Sequence, residues 1–132
     1  DRDMLAAADG LLERVREHYA ATAMHLALEA IWSVLAAANR YFSAQEPWVL
    51  RKSEIEADQV RFRTVLYVTL EVVRIAAVLA QPVLPAAAAR LLDLLGQPED
   101  QRDFRCLAAR IEPGTELPTP TGVFPRYETP QP

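Results

Sequence analysis

Apolar residues at Leu5, Ala8, Leu12, Val15 and Tyr19 recur in alternating steps of three and four. This predicts an amphipathic helix from about Asp3 to Tyr19, capped by Asp3 and mildly weakened at Gly10. A second stripe, Leu28, Ile31, Leu35, Ala38 and Phe42, predicts another helix that Thr22 can cap, with His25, Trp32 and Asn39 seven apart along one flank. The two helices either run together through residues 20 to 23 or are interrupted there; nothing forces a break, and a short interruption is the reading adopted. Pro47 ends or restarts helix at Glu46, and Trp48, Val49 and Leu50 follow as an apolar cluster able to form one turn. Ser53 and Glu56 have the spacing of a capping box, in which each side chain satisfies a free backbone amide at a helix start.

The helix that follows is predicted to reach about Gln81, where Pro82 stops it. From Val65 onward it is apolar on most sides, which marks it as the central buried helix. Pro85 at a first turn and Gly96 beyond Leu95 bracket a short helix. Beyond it, Gly114 and the stretch 118–122 suggest turns between short extended pieces, Cys106 to Ile111 and Gly122 to Tyr127. Alanine clusters at 6–8, 36–38 and 86–89 allow helices to approach closely. The expected fold is therefore all-α, an antiparallel helix bundle over residues 1–100 with a short extended C-terminal tail over residues 101–132.

Composition supports this division. With 132 residues, 51% of them hydrophobic, the chain is large enough for one buried core, and six of its ten prolines fall in the last twenty residues. Glu71 and Arg74 interrupt the strongest apolar run, so no membrane span is expected. The start, Asp1-Arg2-Asp3-Met4, lacks a charged-then-apolar leader and reads as that of an excised or processed piece. A net charge of −4 argues against indiscriminate binding to nucleic acid but not against a local site. Residues 40–63 carry Arg40, Arg51, Lys52, Arg61 and Arg63 against four acids, a net of +1 where the remainder carries −5. From this pattern alone, a normally solvated mixed surface is the commoner explanation.

Catalytic chemistry is hard to find. His18 and His25 have no nucleophile and carboxylate in a matching arrangement, and His25 is expected to be a partly buried flank residue. The four glycines, 10, 96, 114 and 122, form no phosphate loop. Glu54, Glu56 and Asp58 are spaced by two and read as favourable charges at a helix start rather than as an acid/base pair. Cys106 alone supports neither a disulfide framework nor a cysteine metal site, and an inert packing role suits it. Trp48 either fills a core gap behind Pro47 or offers a stacking face, and the residues alone do not choose.

The run Asn39-Arg40-Tyr41-Phe42, then Gln45-Glu46-Pro47-Trp48-Val49-Leu50, resembles the anticodon-binding domain of class Ia aminoacyl-tRNA synthetases, specifically the methionyl-tRNA synthetases. In that family the second helix of the domain closes with Asn-x-Tyr and is followed by Pro-Trp. Gln81-Pro82-Val83-Leu84-Pro85, Leu94-Leu95-Gly96, Glu112-Pro113-Gly114 and the segment 122–128 are similar to later family motifs, so the resemblance covers nearly the whole chain. Singly these motifs are weak; their order and spacing are specific.

The resemblance implies that Trp48 stacks on an anticodon base, an aromatic use worth about 1–3 kcal/mol per base. Asn39 and Tyr41 then buttress the loop with Pro47, Asn39 can also read a base edge, and Arg40, Arg51 and Lys52 are candidate phosphate contacts. It implies as partners the anticodon of tRNA(Met) and the parent catalytic domain, packed by the C-terminal tail, with no membrane. No cofactor is expected in this stretch, because ATP and Mg belong to the catalytic domain, whose HIGH-type and KMSKS-type signatures are absent. The family's Asn-x-x-x-Arg pair, on an earlier helix, is expected upstream of residue 1. Alanine- and arginine-rich composition and the lack of a dimerising extension after Tyr127 suggest the short mitochondrial form, hence the mitochondrial matrix; a bacterial cytoplasm is the alternative. Competing readings are a leucyl, valyl, isoleucyl or cysteinyl relative, and a helical protein-interaction module anchored by Trp32, Phe42 and Trp48.

Overall fold

The computed structural model describes residues 1–125. Six α-helices follow one another: α1 (Arg2–Asp9), α2 (Leu11–Ala20), α3 (Met24–Gln45), α4 (Pro47–Leu50), α5 (Glu56–Ala80) and α6 (Pro85–Leu94). Two 3-10 turns, Glu99–Gln101 and Phe104–Ala108, come after them, and there is no strand among the described residues. The central-helix expectation holds: α5 packs against α1, α3, α4, α6 and the second 3-10 turn, and residues 74–80 are all buried.

Several local expectations are corrected. The first predicted helix is two, α1 and α2, because the Gly10 ψ of −6° bends the path while keeping the backbone right-handed. Its cap is Asp1, not Asp3. Thr22 does not cap α3; it takes a positive φ of 57° in the α2–α3 turn, and Ala23 precedes the helix. The buried stripe of α3 is Ala27, Ile31, Val34 and Ala38, leaving Leu28, Leu35 and Phe42 half-buried. The helix is clasped between α2 and α5, so its buried face is set by two neighbours rather than one. His25 is exposed rather than partly buried.

Ser53 and Glu56 form no capping box either. Helix α5 starts at Glu56 with Ile55 as its cap residue, so Ser53 lies too early and instead accepts from the Ile55 amide while donating to Asp58. The first half of the expected extended piece at Cys106 to Ile111 belongs instead to the second 3-10 turn, which Asp103 initiates by accepting from the Arg105 and Cys106 amides. The contact with the Arg105 guanidinium holds the Asp103 carboxyl down at about 2, against the opposing effect of desolvation. Of the second expected piece, residues 122–125 form no strand, only a bend at Val123 and Phe124, and Arg126, Tyr127 and Glu128 lie outside the described residues.

The tail is wired into the bundle by charge. Glu71 and Arg74, both essentially inaccessible, pair at 2.7 Å on α5. Arg74 also donates to the carbonyls of Leu107 (3.2 Å) and Ala109 (2.6 Å), while Glu71 accepts from the Ile111 amide (3.2 Å) and from Arg110 (3.3 Å). Arg110 reaches onward to Asp9 at 2.7 Å, so a single chain of contacts links α1, α5 and the tail. Burial is the largest single influence on the Glu71 carboxyl and would raise its pKa, but Arg74, the Ile111 amide and Arg110 together hold it below the ordinary value.

Helix α6 ends where Gly96 turns left-handed at φ 65°, with the Gln97 amide donating to Leu92 and the Gly96 amide to Asp93. A Cβ at this position would meet the Thr115 methyl at 3.1 Å and the Glu116 carbonyl at 3.4 Å. Gly96→Ala is therefore expected to cost about 1–2 kcal/mol of stability, because it adds both left-handed strain and a contact the tail must yield to. The measurement is a denaturant midpoint that falls at unchanged slope.

Candidate nucleic-acid interface

The junction between α3 and α5 gathers the residues singled out from the sequence. Glu46 adopts a left-handed backbone (φ 45°, ψ 54°), a conformation that costs a residue bearing a side chain about 1–2 kcal/mol. This kink turns the chain directly into Pro47, which supplies the first residue of α4 and is itself buried. A four-residue helix is too short to hold itself together, so its neighbours must fix it.

Trp48 is 51% exposed. Its ring packs edge-on against Phe42, with centroids 6.4 Å apart and planes at 61°, so it is braced by α3 and not sealed in the core. Pro47, rather than Trp48, fills the core position. Arg51 keeps right-handed geometry at the end of α4, its amide donating to the Pro47 carbonyl at 2.9 Å, and the Lys52 amide donates to Val49 at 3.0 Å. Arg51, three residues after Trp48, thus stands on the Trp48 side of this turn, and Lys52 follows it where an i to i−3 bond closes the chain. All three are exposed.

On α3, Asn39 lies one turn before Phe42, which places it on the flank from which Phe42 reaches Trp48. Arg40 sits roughly 160° around the helix from Phe42 and faces outward, so it is not brought to the ring. Tyr41 points to the other flank, where its hydroxyl donates to Asp1 at 2.5 Å. Burial pushes the Tyr41 phenol up, with the Arg61 cation opposing the shift, which keeps it a donor.

Two of the five basic residues in this stretch are already engaged. Arg61 holds Asp1 (2.5 and 2.9 Å) and Gln45 (2.9 and 2.7 Å), and Arg63 pairs with Glu56 at 3.0 Å. Among the described residues, Arg40, Arg51 and Lys52 form no ion pair. The charge available to a ligand is therefore narrower than the sequence suggests.

The scaffolding behind this surface is absent from the sequence reading. Asp58, Gln59 and Arg61, on the first turns of α5, grip both sides of the junction: Ser53 bonds Asp58 at 2.5 Å, Gln59 contacts three carbonyls of the 50–53 turn, and Arg61 secures the end of α3. The one sequence cue is the cluster of polar residues after Ser53, whose spacing points to Glu56 instead. Among the described residues no group of three or more His, Cys, Asp or Glu side chains could hold a metal ion, and no helix is long and apolar enough to cross a membrane.

Residues 1–131 match the family model described as the anticodon binding domain of methionyl tRNA ligase. The chain is 68% identical, over its whole length, to 25% of the methionine–tRNA ligase of Mycobacterium tuberculosis, and 66% identical, over 97% of its length, to 24% of that of Mycobacterium leprae. The crystal structure of the apo form of Mycobacterium tuberculosis methionyl-tRNA synthetase superposes with a TM-score of 0.96 at 68% identity, over 98% of this chain and 26% of that one. The chain thus spans about a quarter of the length of the curated relatives it matches. These matches favour the methionyl family over its leucyl, valyl, isoleucyl and cysteinyl relatives and over a protein-interaction module. The relatives are bacterial, and the mitochondrial expectation finds no support: alanine-rich helices serve close packing and say nothing of compartment.

Proposed function

Because the chain belongs to the family of anticodon-binding domains of methionyl tRNA ligases, we propose that it selects tRNA(Met) by its CAU anticodon within a longer methionine–tRNA ligase. The observation that carries this reading is the half-open Trp48 ring with the exposed Arg51 and Lys52 in the turn that directly follows it. An unstacked base can lie flat on the indole while the two cations meet the neighbouring phosphates. Asn39, on the flank facing the ring, presents an amide able to pair with a base edge. Arg40, facing outward from α3, serves backbone phosphate farther from the ring, and Tyr41 and Pro47 support the junction. The C-terminal tail packs against the catalytic part, where ATP and magnesium act, and the ligase works in a bacterial cytoplasm.

The test is the salt dependence of binding between the full-length ligase and an anticodon stem-loop RNA. Removing a cation that neutralises one phosphate should flatten the log–log slope by roughly 0.7 to 1. Arg51→Ala with Lys52→Ala is therefore expected to weaken binding and flatten the slope by about 1–2. An unchanged slope would remove both residues from the interface.

A further inference from the structure

Gln59 gathers backbone carbonyls of this junction on a single side-chain nitrogen. Its side-chain nitrogen lies 3.2 Å from the Leu50 carbonyl, 3.4 Å from that of Arg51 and 2.5 Å from that of Ser53. Three carbonyl oxygens around one end of a carboxamide fix its orientation, since the amide oxygen there would face only acceptors. The two N–H groups are shared among carbonyls at the end of a four-residue helix and in the turn after it, where helical bonding has run out. Gln59 itself is half-buried in the first turns of the long central helix, so its anchor is rigid. The Ser53 contact to Asp58 pins the same turn one residue away.

We propose that Gln59 is a positioning residue for RNA recognition: its carboxamide fixes the backbone of the 50–53 turn and so sets where the Arg51 and Lys52 side chains meet phosphate. This rests on the anticodon-reading role proposed above. Neither cation has an ion-pair partner among the described residues, so the backbone under them is what orders them. Freed of Gln59, the turn can take several paths, and both long side chains would lose more conformational entropy on binding.

The experiment compares four full-length ligases: unaltered, Gln59→Met, Arg51→Ala with Lys52→Ala, and the triple variant. Methionine keeps the length and packing of glutamine but removes its donors. Aminoacylation is measured as KM for tRNA and kcat, alongside methionine activation and thermal midpoint. Gln59→Met is expected to raise KM for tRNA about 5- to 10-fold with kcat and activation unchanged, and the triple variant to stay within about 2-fold of the double. Gln59→Asn, whose amide falls one methylene short of the carbonyls, carries the same expectation should Gln59→Met fail to fold. A Gln59 effect that multiplies in full on the double variant, or that lowers activation equally, would mark a merely structural residue and overturn the inference. If Arg51→Ala with Lys52→Ala raises KM and Gln59→Met does not, this inference alone falls. If that double variant leaves KM unchanged, the reading of the site falls and the inference with it.

Discussion

Arg74→Ala is expected to destabilise the domain by about 3–5 kcal/mol, a large share of the stability of a domain this size, because it strands a buried carboxylate. Glu71 would keep only the Ile111 amide and the half-exposed Arg110. The usual escape, replacing a buried pair by two apolar side chains, is also closed. The pair satisfies the Leu107 and Ala109 carbonyls and the Ile111 amide, and each backbone group left unpaired costs about 1–3 kcal/mol. Glu71→Leu with Arg74→Met is therefore expected to destabilise as well, with amide exchange accelerating first along 104–111.

The same network sets an acid limit. Because the folded Glu71 pKa is depressed, its contribution is complete above the ordinary carboxylate value and is lost as pH falls through the lower folded one. Glu71→Gln should flatten the acid side of the stability profile while lowering stability at neutral pH. Chemical unfolding across pH reads both effects.

How far sequence can reach is clear from these residues. Helix boundaries are legible at Pro47, Pro85 and Gly96, because those residues act on the backbone locally, but not at Gly10, whose right-handed backbone marks no stop in the pattern. The buried face of α3 is displaced from the expected one because the pattern gives weight to leucines, whereas a helix clasped between α2 and α5 has its buried side set by both neighbours. Glu71 and Arg74 register only as interruptions of an apolar run; their partners are tail backbone groups some 33–40 residues away, which no spacing reveals. Trp48, Arg51 and Lys52 can be named from motif and residue type, but the path of the turn that joins them requires the structure. Gln59 and Arg61 escape because side-chain contacts to loop backbone follow no period.

Trp48→Ala is expected to have the largest effect on recognition with little effect on folding. The ring is half open to solvent, and the aromatic contact that braces it is the Phe42 edge, worth about 0.5–1.5 kcal/mol. A stacking platform is worth about 1–3 kcal/mol per base, so its removal should appear as a fall of about 10- to 100-fold in kcat/KM for tRNA. Trp48→Phe, with a smaller face in the same place, should recover part of it.

The decisive measurement sets aminoacylation of tRNA(Met) beside tRNA-independent activation of methionine in the full-length ligase carrying Trp48→Ala. The expected result is a collapse of the first with the second unchanged. Aminoacylation that survives at its unaltered rate, or activation that falls in step with it, would contradict a role for this indole in reading the anticodon.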